Sequence, residues 1–99
     1  MALNQFQRDF CADALKHYGN ASQIDKAIEE CDELSEALQH YQASKGLVVR
    51  ATCRLHVISE IADVLIMAHQ MRLVFGEGNV DEMIDAKIKR QRQRMREGE

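Results

Sequence analysis

The stretch VISEIADVLIMA, residues 57–68, decides how the rest of the chain reads. Nine of its twelve side chains are apolar and none is Gly or Pro, so it belongs in the middle of a long helix. Two acids interrupt it, Glu60 and Asp63, three positions apart and therefore on one side of that helix. A helix this apolar is expected to be buried on most sides. A buried carboxylate costs several kcal/mol unless something pairs with it. The apolar residues thus speak for the fold, and the partner of the two acids speaks for the function.

Working outward, the same helix is expected over about 49–75, closed by Gly76 and Gly78, and it is the central element of an all-α chain. Before it, Ala43 to Leu47 with Gly46 reads as a turn. A second helix is expected up to about Gln42, capped by Ser22 with Asp25 as the acidic partner of a capping-box-like start. Its apolar stripe is Ile24, Ala27, Ile28, Cys31, Leu34, Leu38 and Tyr41. The first helix, about 4–17, repeats Phe6, Phe10, Cys11 and Ala14 at helical spacing and stops at Gly19-Asn20. A fourth starts from a cap at Asn79 and carries Val80, Met83, Ile84, Ile88 and Met95. Proline is absent and glycine occurs five times, which suits long uninterrupted helices. Residues 1–99 are expected to form one four-helix domain. So short a chain has little room for a private core, so self-association should complete the bundle as a homodimer or homotetramer.

Composition excludes several classes. With 45% apolar and 29% charged residues the chain is of the soluble globular type. No apolar run approaches the roughly 18 residues of a membrane span, and the N-terminus lacks an apolar leader core, so a cytoplasmic protein without membrane contact is expected. Cys11, Cys31 and Cys53 are odd in number and show no CxxC spacing, which suits reduced thiols. Cys53-x-x-His56 has no second pair of ligand spacing and is an ordinary helical segment rather than a zinc site. His17, His40 and His69 read as surface or core-edge residues, and Tyr18, Tyr41 and Phe75 as core rather than as cover for a base.

The second helix also carries acids, EECDE at 29–33 and Glu36 one turn later. Glu30 and Glu33 share a side, and Glu30 lies about 40° from Leu34, at the edge of the apolar stripe. Taken alone this run is a solvated helix face. Together with Glu60 and Asp63 it can bring four carboxylates to one place. Two unit charges 4 Å apart repel by about 4 kcal/mol at an effective dielectric near 20. Protonation, a nearby Arg or Lys, or a hard divalent cation would relieve that. Arg50, Arg54 and the basic fourth helix are the available cations. An oxygen-only donor set suits Mg²⁺, or Mn²⁺, better than Zn²⁺, and Mg²⁺ is commonly shared with substrate phosphates.

The combination KAIEECDELSEAL (26–38) and ISEIADVLIM (58–67) resembles the MazG-like, all-α nucleoside triphosphate pyrophosphohydrolases. The family signature is ExxE followed by ExxD. Here it reads Glu30-x-x-Glu33, twenty-six intervening residues, then Glu60-x-x-Asp63. YGNASQIDK (18–26) and KIKRQRQR (87–94) look like the family too. The resemblance implies Mg²⁺ held by Glu30, Glu33, Glu60 and Asp63, and cleavage of an NTP or dNTP to the monophosphate and pyrophosphate. Glu29, beside the first pair, would orient a water or reach a second metal, or else simply face solvent. Many relatives have a second Glu just before ExxD where this chain has Ser59, and some have Asn where it has Asp85.

Net charge is −3, yet residues 87–99 hold six Lys/Arg against two Glu, which leaves the body strongly acidic. Lys87, Arg90 and Arg94 fall in one row beside the apolar stripe and are the candidate phosphate contacts. A solvated tail is the plainer reading of that row. A nucleic-acid arm is disfavoured by the acidic body and by the lack of interleaved aromatics. A non-catalytic dimerisation or partner-binding module is the alternative for the whole chain. A di-iron bundle is disfavoured because Glu-x-x-His pairs are absent.

Overall fold

The computed structural model describes residues 3–98 as four helices, α1 (Gln5–Tyr18), α2 (Asn20–Ala43), α3 (Leu47–Phe75) and α4 (Glu77–Arg96), with no strand among them. The all-α architecture expected from the sequence is present. No helix is long and apolar enough to cross a membrane. Asn4 caps α1 through a reciprocal pair: its Oδ1 accepts from the Gln7 amide at 2.8 Å, and the Gln7 side chain accepts from the Asn4 amide at 3.0 Å.

The other helix starts differ from expectation. α2 begins at Asn20, directly after Gly19, so Ser22 lies inside the first turn and makes no cap. Likewise α4 begins at Glu77 after Gly76, and Gly78 and Asn79 are helical. The reason is backbone freedom at the two glycines. Gly19 (φ 89°) and Gly76 (φ 108°) adopt positive φ, which lets one residue reverse the chain between helices. No loop is left for a side-chain cap to organise. A Cβ at Gly76 would also meet Asn79 Nδ2 at 2.8 Å.

The α2–α3 hairpin is the body of the molecule. Its register is antiparallel, each step along α2 being matched by an equal step back along α3. Gln23 thus meets Gln70, with Gln23 Nε2 donating to Gln70 Oε1 at 2.7 Å. By the same register Glu30 stands opposite Asp63 and Glu33 opposite Glu60. α1 packs across α2 and α3, with Cys11 and Ala14 buried, and burial pushes the Cys11 thiol above its usual pKa.

α4 touches only α3. Arg72 fastens its first turns, donating to both Asp81 oxygens at 2.7 and 3.0 Å and standing 3.6 Å from Glu77. The buried His69 ring lies 3.1 Å from the same guanidinium. Burial first, and then the Arg72 charge, hold the His69 pKa below its ordinary 6.5. A depressed folded-state value means that the unfolded chain takes up a proton first on acidification. His69's contribution is therefore fully present above pH 6.5 and is lost as pH falls below it. Thermal melts across that range should show wild type losing melting temperature more steeply than His69→Gln. Equal slopes would contradict the assignment.

The long apolar helix is not buried on most sides. Cys11, Ala14, Ala37 and Met67 are the buried apolar residues among those described, whereas Leu55 is 66% and Ile58 46% exposed. Tyr18 and Phe75, expected in the core, are exposed as well, and Tyr41 is half-buried beneath the Arg50 guanidinium. Along α3, Val48, Ala51, Leu55, Ile58, Ala62 and Leu65 alternate by three and four residues and stay exposed or half-exposed. That is the spacing of a seam between helices. Beside it, Ile84, Ile88 and Met95 of α4 are uncovered.

The dimensions agree with an uncovered face. The accessible surface is 7698 Å², against about 5,700 Å² for a compact monomer of 11.3 kDa. The radius of gyration is 16.6 Å, where about 13 Å is usual for this length and about 16 Å for twice this length.

Candidate metal centre

Glu30 and Glu60 are brought to the α2–α3 interface by the helix register. Both are buried, at 6% and 8% exposure. With half-buried Asp63 they form a group in which one oxygen from each residue lies within 4.8 Å of the others. α2 places Glu30 there because Ala27 and Leu34, one turn to either side, share its inward-facing edge. α3 does the same for Glu60 with Val57 and Val64.

The partner question raised by residues 57–68 has a partial answer. Glu30 Oε1 meets Lys26 Nζ at 3.1 Å, and Glu60 Oε1 meets His56 Nε2 at 3.3 Å. The second oxygen of each, Glu30 Oε2 and Glu60 Oε2, is buried with no hydrogen-bond partner. Such an atom forfeits its hydration without replacement, a cost of about 1–3 kcal/mol or more for a charged group. Arg50 and Arg54 neutralise neither acid, since Arg50 turns to Tyr41 and to the Ser44 carbonyl, and Arg54 makes no ion pair among the described residues. Two buried, unpartnered anionic oxygens on residues of one acidic group fit a hard cation. All donors are oxygen, as Mg²⁺ or Mn²⁺ prefers.

Glu33 stands beside this group rather than within it. It is half-buried, and the charge of Glu30, then its own desolvation, then Glu60 hold its carboxyl above the usual pKa. On its outer side Glu33, Glu36, Glu60, His40 and His56 line one small cleft. Glu29 is exposed, 3.8 Å from Lys26. Lys26 is held in its charged form by the hydrogen bond to Glu30 and then by Glu29.

The larger cleft, about 500 Å³, opens on the other side of the acids. Glu29, Glu30 and Asp63 lie at one level of it and Gln23 and Gln70 at another, with Phe10 and Tyr18 on the α1 side. Neither cleft is lined by Lys87, Arg90 or Arg94. Lys87 and Arg90 are exposed and Arg94 is half-buried, on the part of α4 beyond its contact with α3.

Sequence reasoning overlooked Lys26, His56, Gln23 and Gln70. The first two were legible, because each lies four residues before its glutamate, within side-chain reach on a helix. The glutamines were not, since their meeting depends on the register between two helices. No protein-family model, curated protein or solved structure matches the chain.

Proposed function

We propose that this protein is a Mg²⁺-dependent nucleotide pyrophosphohydrolase, splitting an NTP or dNTP into nucleoside monophosphate and pyrophosphate, with Mn²⁺ as the alternative ion. The observation that carries the reading is the pair of buried, unpartnered oxygens of Glu30 and Glu60, grouped with Asp63 beside a cleft. These three residues would hold the ion, with Glu33 as the adjacent fourth carboxylate of the two motifs. When bound, such an ion supplies charge neutralisation for a polyphosphate and acidifies a coordinated water.

The chain's own residues supply the remaining roles. Glu29, exposed on the cleft wall, orients the attacking water in line with the leaving group. Lys26 stands at the same wall and offers its charge to a phosphate once the ion has claimed Glu30. Lys87, Arg90 and Arg94 line neither cleft of the single chain, so their proposed phosphate contact requires the cleft of a second copy. Housekeeping of a cytoplasmic nucleotide pool is the corresponding role.

The working form is a homo-oligomer, a dimer or a dimer of dimers. A second copy covers the α3 seam and the apolar side of α4. The excess surface of about 2,000 Å² matches the 1,000–2,500 Å² that each chain of an obligate homodimer removes from water. The same apolar surface favours a second reading, a non-catalytic helical dimerisation or partner-binding module.

Incubating the purified protein with a panel of NTPs and dNTPs and Mg²⁺ separates the readings. Release of pyrophosphate and a monophosphate from at least one substrate is expected. No release from any, or orthophosphate as the only phosphorus product, would refute the pyrophosphohydrolase.

A further inference from the structure

Gln23 and Gln70 are the most unusual polar residues outside the acidic group. Both are more than nine-tenths buried, at 7% and 1% exposure, and Gln70 is the largest fully buried side chain among those described. Long amides rarely fill such positions, because each must satisfy two donors and an acceptor. Their mutual hydrogen bond at 2.7 Å uses Gln23 Nε2 and Gln70 Oε1. Gln70 Nε2, a donor, and Gln23 Oε1, an acceptor, are not used in that bond, and neither is among the fully buried polar atoms left without a partner, Glu30 Oε2 and Glu60 Oε2. Both residues line the large cleft, which is where those two atoms can be met.

The register sets the distance between this pair and the acids. Gln23 precedes Glu30 by seven residues on α2, and Gln70 follows Asp63 by seven on antiparallel α3. The amide pair therefore lies two helical turns, about 10 Å, along the cleft from the carboxylates. That is of the order of the distance from a nucleotide's phosphates to the hydrogen-bonding edge of its base. Between the two levels the wall is apolar, with Ile66 and Met67, and Phe10 and Tyr18 present aromatic faces from α1. An apolar slot, aromatic surface and a fixed donor beside a fixed acceptor make a site for a flat heterocycle with a mixed hydrogen-bonding edge.

We infer that the Gln23–Gln70 pair is the specificity determinant of the cleft and hydrogen-bonds the Watson–Crick edge of a nucleobase. The inference rests on the nucleotide reading of the acidic group. Gln70 Nε2 donates to a ring or carbonyl acceptor, and Gln23 Oε1 accepts from a neighbouring N–H of the base. The two amides hold one another, so neither can rotate to suit a different edge without losing the buried bond. The pair accordingly favours one arrangement of donor and acceptor among the bases.

The test compares wild type with the double variant Gln23→Met, Gln70→Met. Replacing both partners with apolar side chains of similar length leaves no buried group unpaired, so the hairpin is expected to fold. Folding, and a Mg²⁺-dependent rise in melting temperature, are verified by thermal melts. Specificity is read as the ratio of kcat/KM for the best and the worst of the eight common NTPs and dNTPs. The ratio should fall at least about tenfold in the double variant. The single variant Gln70→Glu gives a second reading, because replacing the donor with an acceptor should change which base is preferred. Unchanged ratios and ranking in both folded variants would overturn the inference and leave the hydrolase standing. Wild type that hydrolyses none of the eight overturns both.

Discussion

Replacing Glu60 by glutamine should raise the melting temperature of the metal-free protein, remove its response to Mg²⁺ and abolish turnover. The three outcomes share one cause. Glu60 is 8% exposed, carries a buried oxygen with no partner, and is grouped with Glu30 across the α2–α3 interface and with Asp63 one turn along its own helix. In the absence of a cation the repulsion among these carboxylates opposes folding, and charges 4 Å apart repel by about 4 kcal/mol at an effective dielectric of 20. Glutamine keeps the shape and removes one charge, at the loss of the contact with His56. A net gain of about 1 kcal/mol, or about 4–8 °C for a domain of this size, is the expected scale. Turnover should fall at least about 100-fold, the upper range seen when only a ligand's supporting residue is removed. A stabilised variant that keeps its activity would instead favour the non-catalytic module.

The second large effect concerns the uncovered face. Leu55→Asp together with Ile58→Asp places two charges on the α3 seam, at positions that contribute nothing to the core of the single chain. In a lone chain they would cost little, since both side chains already meet water. In an assembly they would bury two unpaired carboxylates per copy, each at several kcal/mol. Sedimentation should therefore show wild type as a dimer or larger and the variant as monomer or unfolded chain. An unchanged oligomer would place the interface elsewhere, and a monomeric wild type would remove the argument from excess surface.

The helix count and the two acidic pairs were legible because each rests on spacing within one helix. Glu30 and Glu60 were marked by apolar neighbours one turn away, which no solvated face requires. The starts of α2 and α4 were misjudged because Ser22 and Asn79 have cap chemistry, while the glycines at 19 and 76 reverse the chain before a cap is needed. The burial of α3 was misjudged for another reason. Hydropathy says that a face avoids water and does not say whether its cover comes from the same chain. Ile58, Ile61 and Ile66 are as apolar as any core residue and stand uncovered in the single chain. The Gln23–Gln70 contact lay beyond single-helix reasoning, because it follows from the register between two helices.

The central claim is that buried acids of two neighbouring helices meet at a divalent ion. Crystals grown with Mn²⁺, measured near its absorption edge, address that claim with no assumption about substrate. The account predicts an anomalous peak bounded by Glu30 Oε2, Glu60 Oε2 and Asp63, at the roughly 2.0–2.3 Å expected for small hard cations on oxygen. A map with no peak there, Glu30 still on Lys26 and Glu60 still on His56, would contradict it.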